Sequence, residues 1–431
     1  MPSPIVTKDT RKAMQLNTVE GAFAVASDNL AGPYLSLFAI SLGASPSQIG
    51  MLSAFPNFLG NILQIPYGIL AERMKDRRLL CIIGGLFASS SWILMAFVPC
   101  LFPPEKRVSI VIILASFRII MANMGAPAWA ALQADIIPRS IRGKYYANRN
   151  VVLNICALLA TLSANRLLGL DFPGNYQIIF IGAAILGITS TILFVFIPFK
   201  PSVSKEKTGN ELSLRQEMEM FFSSVKGNRD FTNYTMSSFV LNFGVTLAGS
   251  LFSVHFVQTL GGQPESWAII TGASITTQII FQRYWGRLAD VFGQKNVMSV
   301  AGLGIISLPV LWFVAPTSWF PIVINLISGI AWGGYNLAAF NLLLEITPDQ
   351  NRSMYVGVYN TLMGVATSVG PLIGGFAAEL LGLRPIFLMS AALRALGLFM
   401  FHRNVSNTSG RALGLSDLVP QRKLKEPSHK A

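Results

Sequence analysis

The sequence predicts an all-α integral membrane protein with twelve transmembrane helices in two six-helix, pseudo-symmetric bundles. Three observations carry that prediction. Of its 431 residues, 52% are hydrophobic and only 12% are charged, whereas about a quarter of a soluble domain is charged. Apolar runs of about 20 residues, enough to cross a hydrocarbon core of ~30 Å, recur along most of the chain. Segments of the first half also reappear in the second at an offset close to half the chain length.

Residues 1–16 are polar and basic, with Lys8, Arg11 and Lys12. Helices 1 to 6 are expected at 17–42, 47–70, 79–101, 108–137, 149–170 and 176–198. A charged linker follows, and helices 7 to 12 are expected at 232–260, 266–286, 297–316, 320–345, 355–381 and 385–402. The domains are then a bundle at 1–198, a linker at 199–230, a second bundle at 231–403 and a basic tail at 404–431. Within the linker, Leu214, Met218, Phe221, Phe222 and Val225 fall on one helical face. That pattern suits a short helix lying on the membrane surface and holding the bundles together. The first apolar run carries Glu20 and Asp28 and is too long for a secretory signal.

Twelve spans put both termini on one side. That side then holds 27 of the 33 Lys and Arg residues, and the opposite side holds Lys106, Arg107, Arg166 and Arg384. The positive-inside bias therefore places both termini in the cytosol. It also accounts for the net charge of +13 without nucleic acid. Cys81, Cys100 and Cys156 lie in or beside apolar runs with neither paired nor metal spacing. The histidines, His255, His402 and His429, are scattered. No catalytic cluster, metal site or cofactor is expected.

The repeat is clearest in charged loops. YGILAERMKDRR (67–78) returns as WGRLADVFGQK (285–295), with Gly68 and Gly286 218 positions apart. DIIPRSIRGKYYANRN (135–150) returns as EITPDQNRSMYVGVYN (345–360), with Pro138 and Pro348, Arg142 and Arg352, and Asn150 and Asn360 each 210 apart. Leu30-Ala31-Gly32 matches Leu247-Ala248-Gly249. Charged loops in register point to a parallel repeat of six helices.

The first of these loops resembles the G-x-L-A-D-R-x-G-R-R signature of the major facilitator superfamily. The second copy keeps Gly286, Leu288, Ala289, Asp290 and Gly293, while the first carries Glu72 and Lys75 at the Asp and second Gly positions. The resemblance implies that superfamily's fold, and a secondary active transporter that moves a small molecule by alternating access. It also implies that helices 1, 4, 7 and 10 line a central cavity. Asn242, Thr246, Trp332, Tyr335 and Asn336 are then the cavity candidates on helices 7 and 10. The loops read as a cytosolic gate. Gly68 and Gly286 would allow close helix approach, and Glu72 and Asp290 would face the starts of helices 11 and 5. Arg77 or Arg78 would pair with Asp135, and Arg287 with Glu345, beside Arg142 and Arg352. Such links would hold the protein outward-facing; plain topogenic charge is the alternative. A GVATSVGPLIGG run at 364–375 resembles the family's antiporter signature, but lies in helix 11 rather than helix 5.

Charges inside the spans are functional candidates, because each is costly there unless paired or hydrated. Asp28 and Arg118 both lie ~15 Å deep at 1.5 Å per residue. They read either as a structural pair or as a proton site whose Arg adjusts it or binds substrate anions. Glu20 is expected in a solvated cytosolic mouth, His255 as a satisfied polar residue, and Arg394 packed against a polar neighbour. The expected protein is a monomer in a plasma (inner) membrane, proton-coupled through the helix 1 carboxylate. The alternatives are a multidrug or lipophilic-cation efflux antiporter, and a non-transporting sensor on the same fold.

Overall fold

The computed structural model describes residues 8–63, 66–67, 70–71, 74, 76–137, 142–198, 227–348 and 352–406. Its first six spans are α1 (Lys8–Ala31, extended past a 3₁₀ turn at Gly32–Tyr34 by Leu35–Ser41), α2 (Pro46–Ile62), α3 (Arg78–Leu101), α4 (Pro104–Ile136), α5 (Arg142–Leu168) and α6 (Gly174–Val195). The second six are α7 (Arg229–Gly249, extended by Leu251–Val254 and a π-helical turn at His255–Thr259), α8 (Pro264–Phe292), α9 (Gln294–Val314), α10 (Phe320–Ile346), α11 (Arg352–Leu381) and α12 (Leu383–Asn404). Nine helices are long and apolar enough to cross a membrane among the described residues. The other three are α1 and α8, which carry polar residues along their length, and α2, whose described helix has 17 residues. The linker helix expected around 214–225 lies outside the described residues.

Local chemistry sets the helix ends. Ser45 opens α2 by accepting from the Gln48 N–H, and the Gln48 side chain returns the contact to the Ser45 N–H. This is a capping box, with Pro46 at the first helical position. Asn228 caps α7 by accepting from the Phe231 N–H. The tight connections α8–α9 and α11–α12 turn at Gly293 and Gly382, whose φ values of 82° and 83° disfavour a side chain. Two helices start earlier than their apolar runs. α1 begins at Lys8 and α5 at Arg142, and their polar first turns bind each other: the Tyr145 hydroxyl donates to the Met14 carbonyl at 3.0 Å. A helix hydrogen-bonds itself, so it need not stop at the edge of the apolar core.

Helix neighbours repeat between the bundles. In the first, α1 packs on α5 and α6, α3 on α4 and α6, and α2 on α4; in the second, α7 packs on α11 and α12, α9 on α10 and α12, and α8 on α10. The bundles meet through α2 with α11 and α5 with α8. At the first crossing, a Cβ added to Gly375 would stand 2.7 Å from the Pro46 carbonyl oxygen and 3.1 Å from Gly50 Cα. The Ser47 N–H donates across this seam to the Glu379 carboxylate at 3.1 Å.

Residues 8 and 406 mark one membrane face, here termed the terminal face. Toward the opposite, far face a single buried apolar cluster joins both bundles, running from Leu37 and Phe38 to Leu251, Val254 and Phe387. Toward the terminal face the buried clusters separate. One is confined to the second bundle, around Tyr234, Trp285 and Leu342, and two to the first, around Leu132 and Ala128. Among the described residues, the core is shared between the bundles toward the far face and divided between them toward the terminal face.

Candidate functional site

The charges of α1 and α4 meet inside the first bundle. Arg118 donates to the Asp28 carboxylate, pairing residues 90 positions apart. The guanidinium also lies over the Trp92 ring of α3, 4.4 Å from its centroid. Arginine suits such a place because its planar, weakly hydrated cation stacks on an aromatic face while its edge donates. Its Nε is buried without a partner. Exposure divides the pair unequally: the Arg118 side chain is 16% accessible and that of Asp28 is 63%. The cation is therefore built into the bundle, and the carboxylate is the member open to exchange.

Both residues line a cavity of about 310 Å³ enclosed by α1, α3, α4 and α6. Small residues make the room, among them Ala24, Gly85, Ala122 and Gly187. Toward the terminal face the same cavity reaches Glu20, Trp129 and Ser190. Glu20 is not in a solvated mouth, as expected from its place in the sequence, but only 8% exposed. The Ser190 hydroxyl donates to its Oε1 at 2.9 Å, while Oε2 has no partner. Arg149 stands nearby, its guanidinium 5.7 Å from the centre of the Trp129 ring and its Nε donating to the Asn17 carbonyl at 3.4 Å. Gly21 leaves the space that this guanidinium fills. The cavity thus holds two carboxylates one above the other on α1, each beside an arginine and a tryptophan.

Trp92, Trp129, Ser190 and Arg149 were not singled out in the sequence. Each sits on another helix, far from residues 20 and 28, so no local spacing could connect them. The usable signal was the presence of Asp and Arg in apolar runs.

The other cavity candidates disperse. Trp332 lines a separate cavity in the second bundle, and Asn336 is exposed. Tyr335 is buried in that bundle's core, edge-on to Trp332 with ring centres 5.8 Å apart. The Thr246 hydroxyl donates to the Ala366 carbonyl at 2.8 Å, tying α7 to α11, and the Asn242 amide donates to Ser238 on its own helix. His255 is not the satisfied polar residue expected: it is buried against Phe387 and Trp312, with neither ring nitrogen hydrogen-bonded. Arg394 packs against polar neighbours, the backbone carbonyls of Ile305 and Val245.

Of the expected gate, Gly68 and Glu72 lie outside the described residues, as do the side chains of Asp135, Arg142 and Arg352. Arg77 donates from Nε to the Ala71 carbonyl at 3.1 Å. Arg78 forms a two-pronged pair with Asp76, both contacts at 3.0 Å. Arg287, Asp290 and Glu345 are exposed. Gly286 was expected to mark a close helix approach, but an added Cβ there would meet nothing within 4 Å.

The Arg78 pair holds the Asp76 carboxyl below its ordinary value of 3.8. A lowered carboxyl contributes stability above its ordinary range and loses it as pH falls through the folded value. Since about a third of each side chain is accessible, Asp76→Asn is expected to cost under about 1 kcal/mol at neutral pH. The difference in melting temperature between the two proteins should narrow as pH falls from 7 to 3. A constant gap over that range would exclude this pair as its source.

A family model described as Major Facilitator Superfamily matches residues 21–243 and 234–424. The Uncharacterized MFS-type transporter MJ1317 of Methanocaldococcus jannaschii is 23% identical over 365 residues, covering 81% of this chain and 84% of its own. The Multi-drug resistance efflux pump PmrA of Streptococcus pneumoniae is 34% identical over 158 residues, 34% of this chain and 39% of its own. Among solved structures, the xylose transporter XylE from E. coli, in a partially occluded inward open conformation, superposes with a TM-score of 0.69 at 15% identity. That match covers 94% of this chain and 100% of the other.

Proposed function

The chain belongs to the major facilitator superfamily of membrane transporters, and from that premise we propose that it moves a small molecule by alternating access, coupled to protons through Asp28. One observation carries this reading: a carboxylate whose side chain is 63% accessible is paired with an arginine fixed inside the bundle. Asp28 and an anionic group of a substrate compete for the same guanidinium. A proton on Asp28 removes one competitor and admits the other, so proton and substrate anion occupy the site together. Trp92 holds the arginine in place while its partner changes. Neither step needs a metal or cofactor.

The shared far-face core and separated terminal-face clusters support an inward-facing state, if the basic terminal face is cytosolic. On that reading both termini lie in the cytosol of a cell whose plasma membrane holds the protein as a monomer. The exposed Arg287 and Asp290 are then gate groups waiting for the terminal face to close.

A thermal-shift panel on the purified protein tests the substrate side. Sugars, organic acids, amino acids, nucleosides and lipophilic cations are compared at two pH values, since a ligand of the folded state raises the melting temperature by mass action. An organic acid whose shift grows at lower pH is the expected hit. In proteoliposomes, Asp28→Asn should then abolish proton-driven accumulation and leave exchange of bound substrate intact. Unchanged pH-dependent accumulation in that variant would refute the coupling site.

Export of a lipophilic cation is a second reading, favoured by the stretch shared with PmrA. In that case the free carboxylate is Asp28 and the hit is a cation whose binding weakens at low pH.

A further inference from the structure

The second bundle encloses a cavity of about 240 Å³ between α7, α8, α9, α10 and α12. Arg394 of α12 is the charged residue in its wall and is 1% exposed. Its guanidinium donates to the Ile305 carbonyl at 2.9 Å and weakly to the Val245 carbonyl at 3.5 Å. Its Nε is buried without a partner. Trp267, Trp312 and Trp332 form much of the remaining wall, with Asn325 and Ser328 as its polar groups. No carboxylate is among the described residues that line it. A guanidinium at this depth ordinarily has compensating negative charge.

The repeat shows where that charge is missing. Aligning Leu30-Ala31-Gly32 with Leu247-Ala248-Gly249 sets an offset of 217 and places Val245 at the position of Asp28. In the first bundle this position supplies the carboxylate that neutralises Arg118. In the second it lines the cavity as valine and offers Arg394 only its backbone carbonyl. Each bundle has an arginine and a tryptophan lining one cavity, but among the described residues only the first cavity has a carboxylate in its wall.

We infer that the second-bundle cavity binds a monovalent anion, a halide or a carboxylate group, with Arg394 as its counter-charge. The Arg394 guanidinium, the Asn325 amide and the Ser328 hydroxyl are donor-bearing groups in its wall. Tryptophan walls keep the local dielectric low, so the attraction is little screened. The volume admits a halide or a group the size of acetate, and the one guanidinium would leave a dianion such as sulfate only half neutralised in the wall. The site is separate from the Asp28–Arg118 pair and does not depend on the transported substrate.

The test is iodide quenching of tryptophan fluorescence on the purified full-length protein, with sulfate keeping ionic strength constant. A saturable component is expected above the linear collisional one. Val245→Asp restores the counter-charge of the first bundle and should weaken that component at least tenfold. Ser328→Val, which removes only a hydroxyl, should weaken it severalfold and covers the case in which Val245→Asp does not fold. Arg118→Gln should leave it in place. Displacement of iodide by chloride but not acetate would assign a free halide; displacement by acetate would assign a carboxylate. Quenching with no saturable part, or one that survives both Val245→Asp and Ser328→Val, would overturn the inference. Loss in Arg118→Gln alone would also overturn it, by placing the anion in the first bundle, and would support the role of Arg118 proposed above.

Discussion

Arg118→Gln is expected to lower substrate flux by about tenfold or more while leaving a folded protein. Losing a hydrogen bond to a charged group costs about 1.5–3 kcal/mol, and each 1.4 kcal/mol is about tenfold. The loss should appear in binding and flux together, because the guanidinium is the substrate's proposed contact as well as the partner of Asp28. Folding should survive because the group left behind, Asp28, is largely exposed and can be hydrated. Arg118→Lys separates charge from geometry. Lysine keeps the cation but neither the planar stack on Trp92 nor the forked donor edge, so partial activity is expected. Initial rates in proteoliposomes, with the ligand found by thermal shift, provide the measurement. Flux within twofold of wild type for Arg118→Gln would remove Arg118 from the transport site.

Gly375→Leu is expected to have the second largest effect, and it acts through the seam rather than the site. The residue faces backbone on α2, with the Pro46 carbonyl oxygen and Gly50 Cα both inside the distance at which a Cβ fits comfortably. Backbone cannot turn aside as a side chain can. Forcing a large residue into such a contact costs about 1–3 kcal/mol, equivalent to roughly a 5- to 150-fold change in population. The contact belongs to the packed α2–α11 seam of this structure, so that cost falls on this packed state. Single cysteines placed near the far ends of α2 and α11 should become more reactive to a membrane-impermeant thiol reagent. Reactivity equal to that of the parent protein would mean that the seam is not the far-face closure.

The twelve helices and their pairing into two repeats were legible because both rest on local chemistry. A span needs its apolar length, and a repeat shows itself in charged loops. The candidate positions were legible only as anomalies: Asp28, Arg118 and Arg394 announce themselves as charges within apolar runs. Their surroundings were not. Glu20 looked like a mouth residue because helix depth was measured from the membrane edge, whereas α6 folds Ser190 over it. Tyr335 and Trp332 are three residues apart, yet one is sunk in the bundle core and the other lines a cavity. Which side of a helix meets a neighbour depends on packing across the bundle, and an isolated helical wheel does not contain it. The cavities themselves lie within bundles, between helices distant in sequence, whereas the resemblance directed attention to the space between the bundles.

The interruptions in α1 and α7 are not equivalent. Pro33, which has no N–H to give, breaks α1 at Gly32–Tyr34, and the π-helical turn at His255–Thr259 loosens α7 in the other bundle. The α1 break starts four residues past Asp28, or about 6 Å along the axis at 1.5 Å per residue. Beyond the break, Leu37 and Phe38 are cemented into the far-face core; before it, the rod carries Asp28. Only in α1 does the interruption lie next to a charge: it separates the exposed carboxylate from Leu37 and Phe38, whereas α7 carries Val245 at the matching position.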